Sequence, residues 1–471
     1  MPDKKSHRVL TYSIFVRLFT SFRVTKQSLL FVILSNAKNL IIIAAYAATI
    51  PHSISRRYDM KKLNKGLAKA VVYCGVNVQP DEEVYVLSSV HATELTHEVV
   101  KLCYERGAKR VIVRYRDEEL TRLDFEHQST ETLTHKPQFV YDERNYFALD
   151  KVKGCVINII CSDPNGLKDA DGEKLAKAQR ADMKGLKPYY DKAMSHKVKW
   201  SIIAYPHPEW AKLVFPDLKP KDASKKLGKY IAKTTRVDND YPQAAWEKHN
   251  AELKTRRQKL NSLNIKELHY VNKLGTDLRV GLPENYIFGG GVDEYGGVTF
   301  NANMPTEEVF SAPDCHNING VVKASMPLCY GGKIIEGLEL TLKDGRITDY
   351  TAKTNLDILK GIIETDEGSR SLGEVALVPY DSPISKLHTL FYETLFDENA
   401  SCHFAIGEAY PTCVKGGPNM TSEELLSRGL NRSDVHVDFM VGTKDLNITA
   451  TTRDGKTIPV FVDGNFTKDF E

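Results

Sequence analysis

The 471-residue sequence predicts an α/β fold, with a doubly wound α/β amino-terminal domain followed by a mixed α+β domain. In the first part, short apolar runs rich in β-branched residues alternate with amphipathic helical stretches. Strands that alternate with helices in this way form a parallel sheet covered by helices on both faces. After residue 263, short strand-like runs are separated by polar turns, which is typical of antiparallel sheets.

The elements of the first part follow one another closely. A helix is predicted over residues 63–74, because its apolar residues recur at helical spacing. The run 84–87 predicts a buried strand, and a helix over 93–106 is ended by Gly107. The stretch 166–193 is predicted to be helical. Three further strand-like runs share the β-branched composition of the first: 110–115, 155–161 and 200–205.

A Lys- and Arg-rich helical segment over 220–263 is predicted to connect the two parts. Beyond it, Asp344-Gly345 and Asp454-Gly455 are hairpin signals, because Asp-Gly fits the tight turn between antiparallel strands. We therefore expect an α/β domain over 60–240 and a second domain over 241–471. The strand candidates of the second domain are 268–271, 278–282, 320–323, 337–343 and the run that begins at Gly345.

The first 59 residues are predicted to be an extension outside the fold. Its apolar patches, 29–34 and 40–50, are shorter than the about 20 residues of a membrane-spanning helix. The second patch has the length of a secretory signal, and Ala45 and Ala47 resemble a cleavage site. The leader before that patch is unusually long, however, and the residues after Met60 are typical of the beginning of a helix. We therefore expect translation to start at Met60.

Composition excludes several classes of protein. Hydrophobic residues at 42% and charged residues at 27% are typical of a globular protein without a membrane partner. The net charge of +3 is small and no basic stripe is present, so nucleic acid is not an expected partner. The eight cysteines form no CxxC pair, which favours reduced thiols and a cytoplasmic location. No GxGxxG motif follows a strand, so no nucleotide cofactor is expected, and Gly289-Gly290-Gly291 suits a loop or bulge better.

Four clusters in the second part combine carboxylates with histidines. In the first, Glu307 and Glu308 lie beside apolar residues; the alternative explanation is a helix amino terminus capped by Thr306. In the second, Glu374 lies at the start of an apolar strand, where an unpaired buried charge is costly. Glu374 is therefore expected either to face water or to have a cation as its partner.

The third and fourth clusters each place a histidine near a carboxylate. Glu398 and His403 are not at the i, i+4 spacing of helical zinc motifs, so a loop entering a strand must bring both inward. Alternation along a strand sends His436 and Asp438 to the same face, as a metal site or as a hydrogen-bonded pair. Taken together, the clusters supply the about five to seven ligands that two divalent cations need. The candidate ligands are Glu308, Glu374, Glu398, His403, His436 and Asp438.

Four long strings in these clusters carry a resemblance to a known family. From about Met60 to its carboxyl terminus, the chain resembles the thermophilic metallo-aminopeptidase family, of the aminopeptidase T and aminopeptidase S type. The resemblance implies that the six candidates are metal ligands and that Tyr410 lines the catalytic site. It also implies a homodimer. The matching strings, in order, are NMPTEEVFSAPD (303–314), GEVALVPYDSPIS (373–385), LFDENASCHFAIGEAYP (395–411) and HVDFMVG (436–442).

The resemblance implies a two-metal aminopeptidase that releases amino-terminal residues from peptides by metal-activated water. The domain over 241–471 is then the metal-binding catalytic domain, and its two divalent ions are zinc, cobalt, manganese or magnesium. By analogy with other two-metal aminopeptidases, Glu307 is our candidate for the base that accepts the proton of the water. Tyr410 is the candidate donor to the oxyanion.

Two other functions remain open at this point. The ligand set does not name the bond that is cleaved, so another dinuclear amide or phosphoester hydrolase is one alternative. A non-catalytic peptide-binding protein is the other, with carboxylates that are merely solvated. In an aminopeptidase, a free carboxylate near the metals is expected to recognise the ammonium group of the substrate.

Overall fold

A computed structural model describes residues 60–331 and 333–471. The predicted extension, residues 1–59, lies outside the described residues, so the expected start of translation at Met60 stays a prediction. The described chain is a mixed α/β structure with one parallel sheet, two larger antiparallel sheets and two short hairpins. The predicted α/β class is confirmed at this level. None of the helices in the two described stretches has the length and apolar character needed to cross a membrane.

Thirteen α-helices are described, and a π-helical segment over Ala70–Gly75 extends the first of them. The predicted helix over 166–193 is two helices, because Pro188 lacks the N–H that a continuing helix requires and lies in the first turn of the second. The α-helices are α1 Met60–Lys69, α2 Thr93–Glu105, α3 Glu118–His127, α4 Thr130–Thr134, α5 Phe139–Asn145, α6 Gly172–Gly185, α7 Lys187–Met194, α8 Pro208–Val214, α9 Pro220–Thr234, α10 Pro242–Ser262, α11 Leu356–Ile363, α12 Thr394–Asp397 and α13 Ser422–Ser427.

Twenty-one strands are described, four of them before α10 and the rest after it. They are β1 Glu83–Ser89, β2 Arg110–Arg116, β3 Gly154–Ile160, β4 Lys199–Ala204, β5 Ile265–Val271, β6 Asp277–Gly281, β7 Asp293–Tyr295, β8 Val298–Phe300, β9 Asn303–Met304, β10 Val309–Ser311, β11 Ile318–Lys323, β12 Leu328–Tyr330, β13 Lys333–Ile335, β14 Glu339–Lys343, β15 Arg346–Thr351, β16 Leu372–Leu377, β17 His403–Gly407, β18 His436–Met440, β19 Asn447–Thr452, β20 Thr457–Val462 and β21 Asn465–Phe466.

The parallel sheet has the strand order β2-β1-β3-β4-β9. Its central strands β1 and β3 are almost entirely buried, as expected for parallel strands covered on both faces. The fifth strand, β9, comes from far along the chain and pairs in parallel with β4, with Ile202 opposite Asn303. The region after residue 240 therefore contributes a strand to this sheet, and the division at that residue stays a prediction.

The second large sheet has eight antiparallel strands in the order β15-β14-β11-β6-β5-β19-β20-β21. Both predicted Asp-Gly hairpins are present in it, between β14 and β15 and between β19 and β20. At the first of these turns, Asp344 and Gly345 both have positive φ, of 48° and 80°, which a tight hairpin turn requires.

The third sheet, which we call the site sheet, has the order β10-β16-β17-β18. One of its faces is apolar and packs against the eight-stranded sheet in a continuous buried core. Phe404 of β17 contacts Tyr270 of β5 there, with ring centroids 5.1 Å apart. Side chains alternate along a strand, so every second residue of the site sheet points away from this core. Those residues form the site described next.

Candidate metal centre

Strand register brings the predicted residues of three strands together on the face of the site sheet that points away from the core. Glu374 of β16 lies opposite Ala405 of β17, which lies opposite Asp438 of β18. The small side chain of Ala405 leaves space between the two carboxylates. His403 and His436 lie on the same face, one on each side of this row. The alternation predicted for His436 and Asp438 is therefore present.

A β-bulge at Gly373 gives Glu374 its direction. The register between β16 and β17 shifts between Leu372 and Glu374, so Leu372 stays in the apolar core while Glu374 faces the site. Without the extra residue, alternation would put both side chains on one face. A Cβ at Gly373 would lie 2.2 Å from the carbonyl oxygen of Glu408, so only glycine fits the bulge.

Glu308 reaches the site from the edge strand β10 rather than from a helix. The helix amino terminus considered for this cluster is wrong: no helix includes residues 305–308, and Val309 begins β10 opposite Leu377 of β16. The loop at Gly290 packs directly on this segment, where a Cβ would lie 2.4 Å from the carbonyl oxygen of Glu308. Glu308 is thus held by strand pairing on one side and by a glycine loop on the other.

Five of the six candidate ligands form two groups with the geometry of metal sites. Glu308, Glu374 and His403 form one group, and Glu374, His436 and Asp438 form the other. Within each group the ligand atoms all lie within 4.8 Å of one another. Glu374 belongs to both, with one oxygen 3.5 Å from His403 Nε2 and the other 3.5 Å from His436 Nε2. A carboxylate placed in this way can bridge two ions.

Both histidines are oriented as metal-ligating histidines are. The Nδ1 of His403 donates to the carbonyl of Ser401 over 3.1 Å, and the Nδ1 of His436 donates to the carbonyl of Glu408 over 2.8 Å. Because a carbonyl only accepts, Nδ1 carries the proton, and in a neutral ring Nε2 presents a lone pair. Each Nε2 then faces carboxylate oxygens, an arrangement that a metal ion or a proton on Nε2 can satisfy.

The electrostatics of the cluster point the same way. Burial opposes a charged imidazolium, but Asp438 and Glu374 outweigh it and raise the pKa of His436 to about 10. Burial, together with the neighbouring Asp438 and Glu308, raises the pKa of Glu398 well above its ordinary value. Both shifts show that the site attracts positive charge, as protons or as metal ions. The buried Oε2 of Glu308 accepts no hydrogen bond of normal geometry, which also fits a cation.

All six candidate ligands and Tyr410 line one cavity of about 110 Å³. Glu398 follows α12 and belongs to neither group of three, yet it faces the same cavity. The ring of Tyr410 lies against that of His436, with centroids 5.4 Å apart. Burial and the neighbouring carboxylates, Glu374 first, raise the pKa of Tyr410 well above its ordinary value. Its phenol therefore keeps its proton and remains a hydrogen-bond donor.

Glu307 does not lie with the other predicted residues. Its carboxylate is bound by Arg236, with N–O distances of 2.7 and 2.9 Å, and lies 3.8 Å from His249 Nε2. It is buried but is not among the residues that line the cavity. Neighbouring residues of an extended segment point in opposite directions, so the cavity receives Glu308 and the Arg236 side receives Glu307.

The cavity has a second wall that the sequence did not reveal. Asp293, at the start of β7, lines it together with His196, which precedes β4, and Trp200, which lies in β4. The one sequence signal was the Gly289-Gly290-Gly291 triplet, which marked a loop but not the carboxylate behind it. His196 and Trp200 carry no local signal, because only the tertiary fold brings them to the cavity.

The segment before Glu398 contains two further carboxyl groups, the half-buried Glu393 and the buried Asp397, and Glu393 gives a pH prediction. Burial raises the pKa of Glu393 to about 7, and burial also raises that of Asp397 to about 7. The folded chain keeps the Glu393 proton to about pH 7, whereas the unfolded chain releases it near pH 4. The free energy of unfolding is therefore expected to fall as pH rises between these values.

Glu393→Gln removes this penalty. Since the side chain is partly exposed, we expect the variant to exceed the parent in unfolding free energy by about 2 kcal/mol at pH 8, with no difference near pH 4. Thermal unfolding at a series of pH values measures the effect, with the exposed Glu336→Gln as control. Equal pH slopes for parent and variant would contradict the assignment.

Known sequences match this chain over nearly all of the described residues. A family model for thermophilic metalloproteases (M29) matches residues 60–466. Aminopeptidase AmpS of Bacillus subtilis strain 168 is 44% identical over 407 residues, which is 86% of this chain and 98% of that protein. Aminopeptidase 2 of Geobacillus stearothermophilus is 41% identical, with the same coverage of both chains.

The fold is similar to that of a solved structure. Wild-type AmpT from Thermus thermophilus superimposes with a TM-score of 0.81 at 34% sequence identity. The superposition covers 87% of this chain and 100% of that chain. The parallel and antiparallel sheets described above are thus arranged closely as in that protein.

Proposed function

We propose that this chain, a metal-dependent aminopeptidase that belongs to the thermophilic metalloprotease family (M29), has its active site in the cavity of the site sheet. In this proposal the cavity holds two divalent metal ions. The sharing of Glu374 between two groups of ligand-type side chains carries the proposal. One ion would be held by Glu308, Glu374 and His403, and the other by Glu374, His436 and Asp438.

Glu398, the sixth candidate ligand, would lie beside the ions without belonging to either group of three. When bound, two such ions lower the pKa of a water molecule and polarise the scissile carbonyl. The ions are zinc, cobalt, manganese or magnesium, because carboxylate and imidazole ligands suit these metals and a thiolate is absent from the described lining. Cys402 points to the other face, where its sulfur accepts a hydrogen bond from the N–H of Val378 and its thiol donates to the carbonyl of Val378.

In this proposal Glu398, rather than Glu307, accepts the proton of the water molecule. Glu398 lies in the cavity outside both groups of three, whereas Glu307 is held by Arg236. A carboxylate in this position can take a proton from water and return it to the leaving amine. Tyr410 donates a hydrogen bond to the oxygen of the carbonyl under attack.

Hydrolysis of aminoacyl p-nitroanilides tests the activity on this chain. We expect cleavage that is lost on treatment with a chelator and restored by zinc, cobalt, manganese or magnesium, because the ions activate the water and polarise the carbonyl. Amino-blocked anilides are the matched controls and are expected to remain uncleaved. Equal cleavage of blocked and free substrates would favour another dinuclear amide hydrolase, and cleavage of p-nitrophenyl phosphate alone would favour a phosphoesterase.

Peptides are the substrates of the family, and we propose that this chain acts on them as a cytoplasmic homodimer without nucleic-acid or membrane partners. The cysteines support a reducing compartment, since Cys74, Cys103, Cys155, Cys161, Cys315, Cys329, Cys402 and Cys413 are all free thiols. The dimer rests on the family resemblance. Light scattering of the purified protein gives its mass and tests the dimer directly.

A further inference from the structure

One carboxylate in the cavity has no place in the proposed metal centre. Of the described residues that line the cavity, Asp293 is the one carboxylate outside the six candidate ligands. Its side chain is 17% exposed and its Oδ1 lies 3.2 Å from Nδ1 of His196, which lines the same cavity. Asp293 therefore faces the cavity and has no role in the proposed metal binding or proton transfer.

The backbone around Asp293 fixes its position relative to the candidate ligands. The preceding loop passes through Gly290 and Gly291, with φ of 111° and 78°, conformations that side chains disfavour. Arg257 anchors this loop by donating to the carbonyls of Gly290 and Val292 over 3.2 and 3.0 Å. Because Gly290 packs on the backbone of Glu308, the loop holds Asp293 beside the ligand cluster.

The electrostatic environment of Asp293 favours the binding of a cationic group. Burial raises its pKa, His196 and Arg257 offset part of this effect, and the nearby Glu308 adds to it. A positive charge arriving beside Asp293 lowers the cost of keeping this carboxylate ionised. The α-ammonium of a peptide is such a charge, and it lies about 2.5 Å from the scissile carbonyl carbon, two covalent bonds away.

We propose that Asp293 binds the α-ammonium group of the substrate and so limits this enzyme to peptides with a free amino terminus. His196 holds the carboxylate in position from the other side. Trp200 and Phe310 line the same cavity and supply an apolar surface for the side chain of the first residue. The inference rests on the proposed location of the active site. It adds the carboxylate that binds the amino terminus of the substrate.

Asp293→Asn, assayed in the metal-loaded enzyme, tests the proposal with two substrates that differ by one group. These are leucine p-nitroanilide and 4-methylpentanoic acid p-nitroanilide, which lacks the amine. We expect kcat/KM for the leucine substrate to fall about 10- to 100-fold, because a charge-assisted hydrogen bond is lost. The low rate with the amine-free substrate is expected to stay unchanged, so the preference for a free amine collapses. Asp349→Asn, at an exposed site, is the control.

The outcomes separate this inference from the proposed function. Failure of the unaltered enzyme to cleave the leucine substrate would count against the active site itself. An active parent whose Asp293→Asn variant keeps its preference, or loses both activities equally with normal metal content, would overturn the role of Asp293. Asp293→Glu keeps the charge and is expected to retain the preference within about fivefold. A collapse of the preference in that variant as complete as in Asp293→Asn would also overturn it.

Discussion

Replacing Glu374 with glutamine is expected to lower kcat/KM for aminoacyl p-nitroanilides by about 1000-fold or more. Glu374 is the one residue common to both groups of ligands, so an amide at this position weakens the binding of both ions at once. The amide also offers N–H donors to Nε2 of His403 or His436, where a cation is required. Because Gln has nearly the same shape, the change removes charge while leaving the site sheet intact.

Metal analysis after dialysis distinguishes this explanation from a general loss of structure. The variant is expected to retain fewer ions per chain than the parent, while its circular dichroism spectrum is unchanged. Glu336→Gln is the matched control, since Glu336 is exposed and remote in sequence from every candidate ligand. A Glu374→Gln enzyme with normal metal content and normal turnover would refute the bridging role.

Gly373→Ala is expected to cause the second large effect, a loss of about 2–4 kcal/mol in unfolding free energy together with loss of activity. The added Cβ meets three backbone atoms of β17 and its following residue, at 2.2 to 2.4 Å. Backbone cannot move aside as a side chain can, so relief requires removing the bulge. Removing it turns Glu374 out of the site or Leu372 out of the core.

Thermal unfolding of the metal-free protein measures the change in unfolding free energy without a contribution from bound ions. Gly172→Ala is the matched control, because a Cβ at Gly172 meets nothing within 4 Å, and this variant should be neutral. If both alanine variants unfold at the temperature of the parent, the bulge tolerates a side chain and the argument for Gly373 fails.

Much of the fold follows from patterns that act over short stretches of chain. The β-branched runs and intervening helices predict the parallel sheet, and the Asp-Gly pairs predict two hairpins of the eight-stranded sheet. The spacing of His436 and Asp438 predicts their common face, because alternation is a local property of a strand. The lone carboxylate of Glu374 in an apolar run left two explanations open, a strand end in water or a cation as its partner.

The parts that escaped prediction depend on contacts between distant segments. Which of Glu307 and Glu308 faces the cavity is decided by Arg236, far away in the sequence. The bulge at Gly373 exists because β16 must keep register with β17 while sending Leu372 and Glu374 to opposite faces. Asp293 joins the cavity only through the packing of a glycine loop on Glu308.

Strand β9 links the cavity of the candidate metal centre to the parallel sheet. It completes that sheet beside β4, and its Asn303 lines the cavity shortly before the chain reaches Glu308. Heating that melts the parallel sheet therefore frees the segment that carries a candidate ligand. We expect loss of activity and loss of helical signal to follow a single melting curve, which moves to higher temperature as metal concentration rises. A fragment that begins after α10 would keep all six candidate ligands and still lack the wall of the cavity that His196 and Trp200 form.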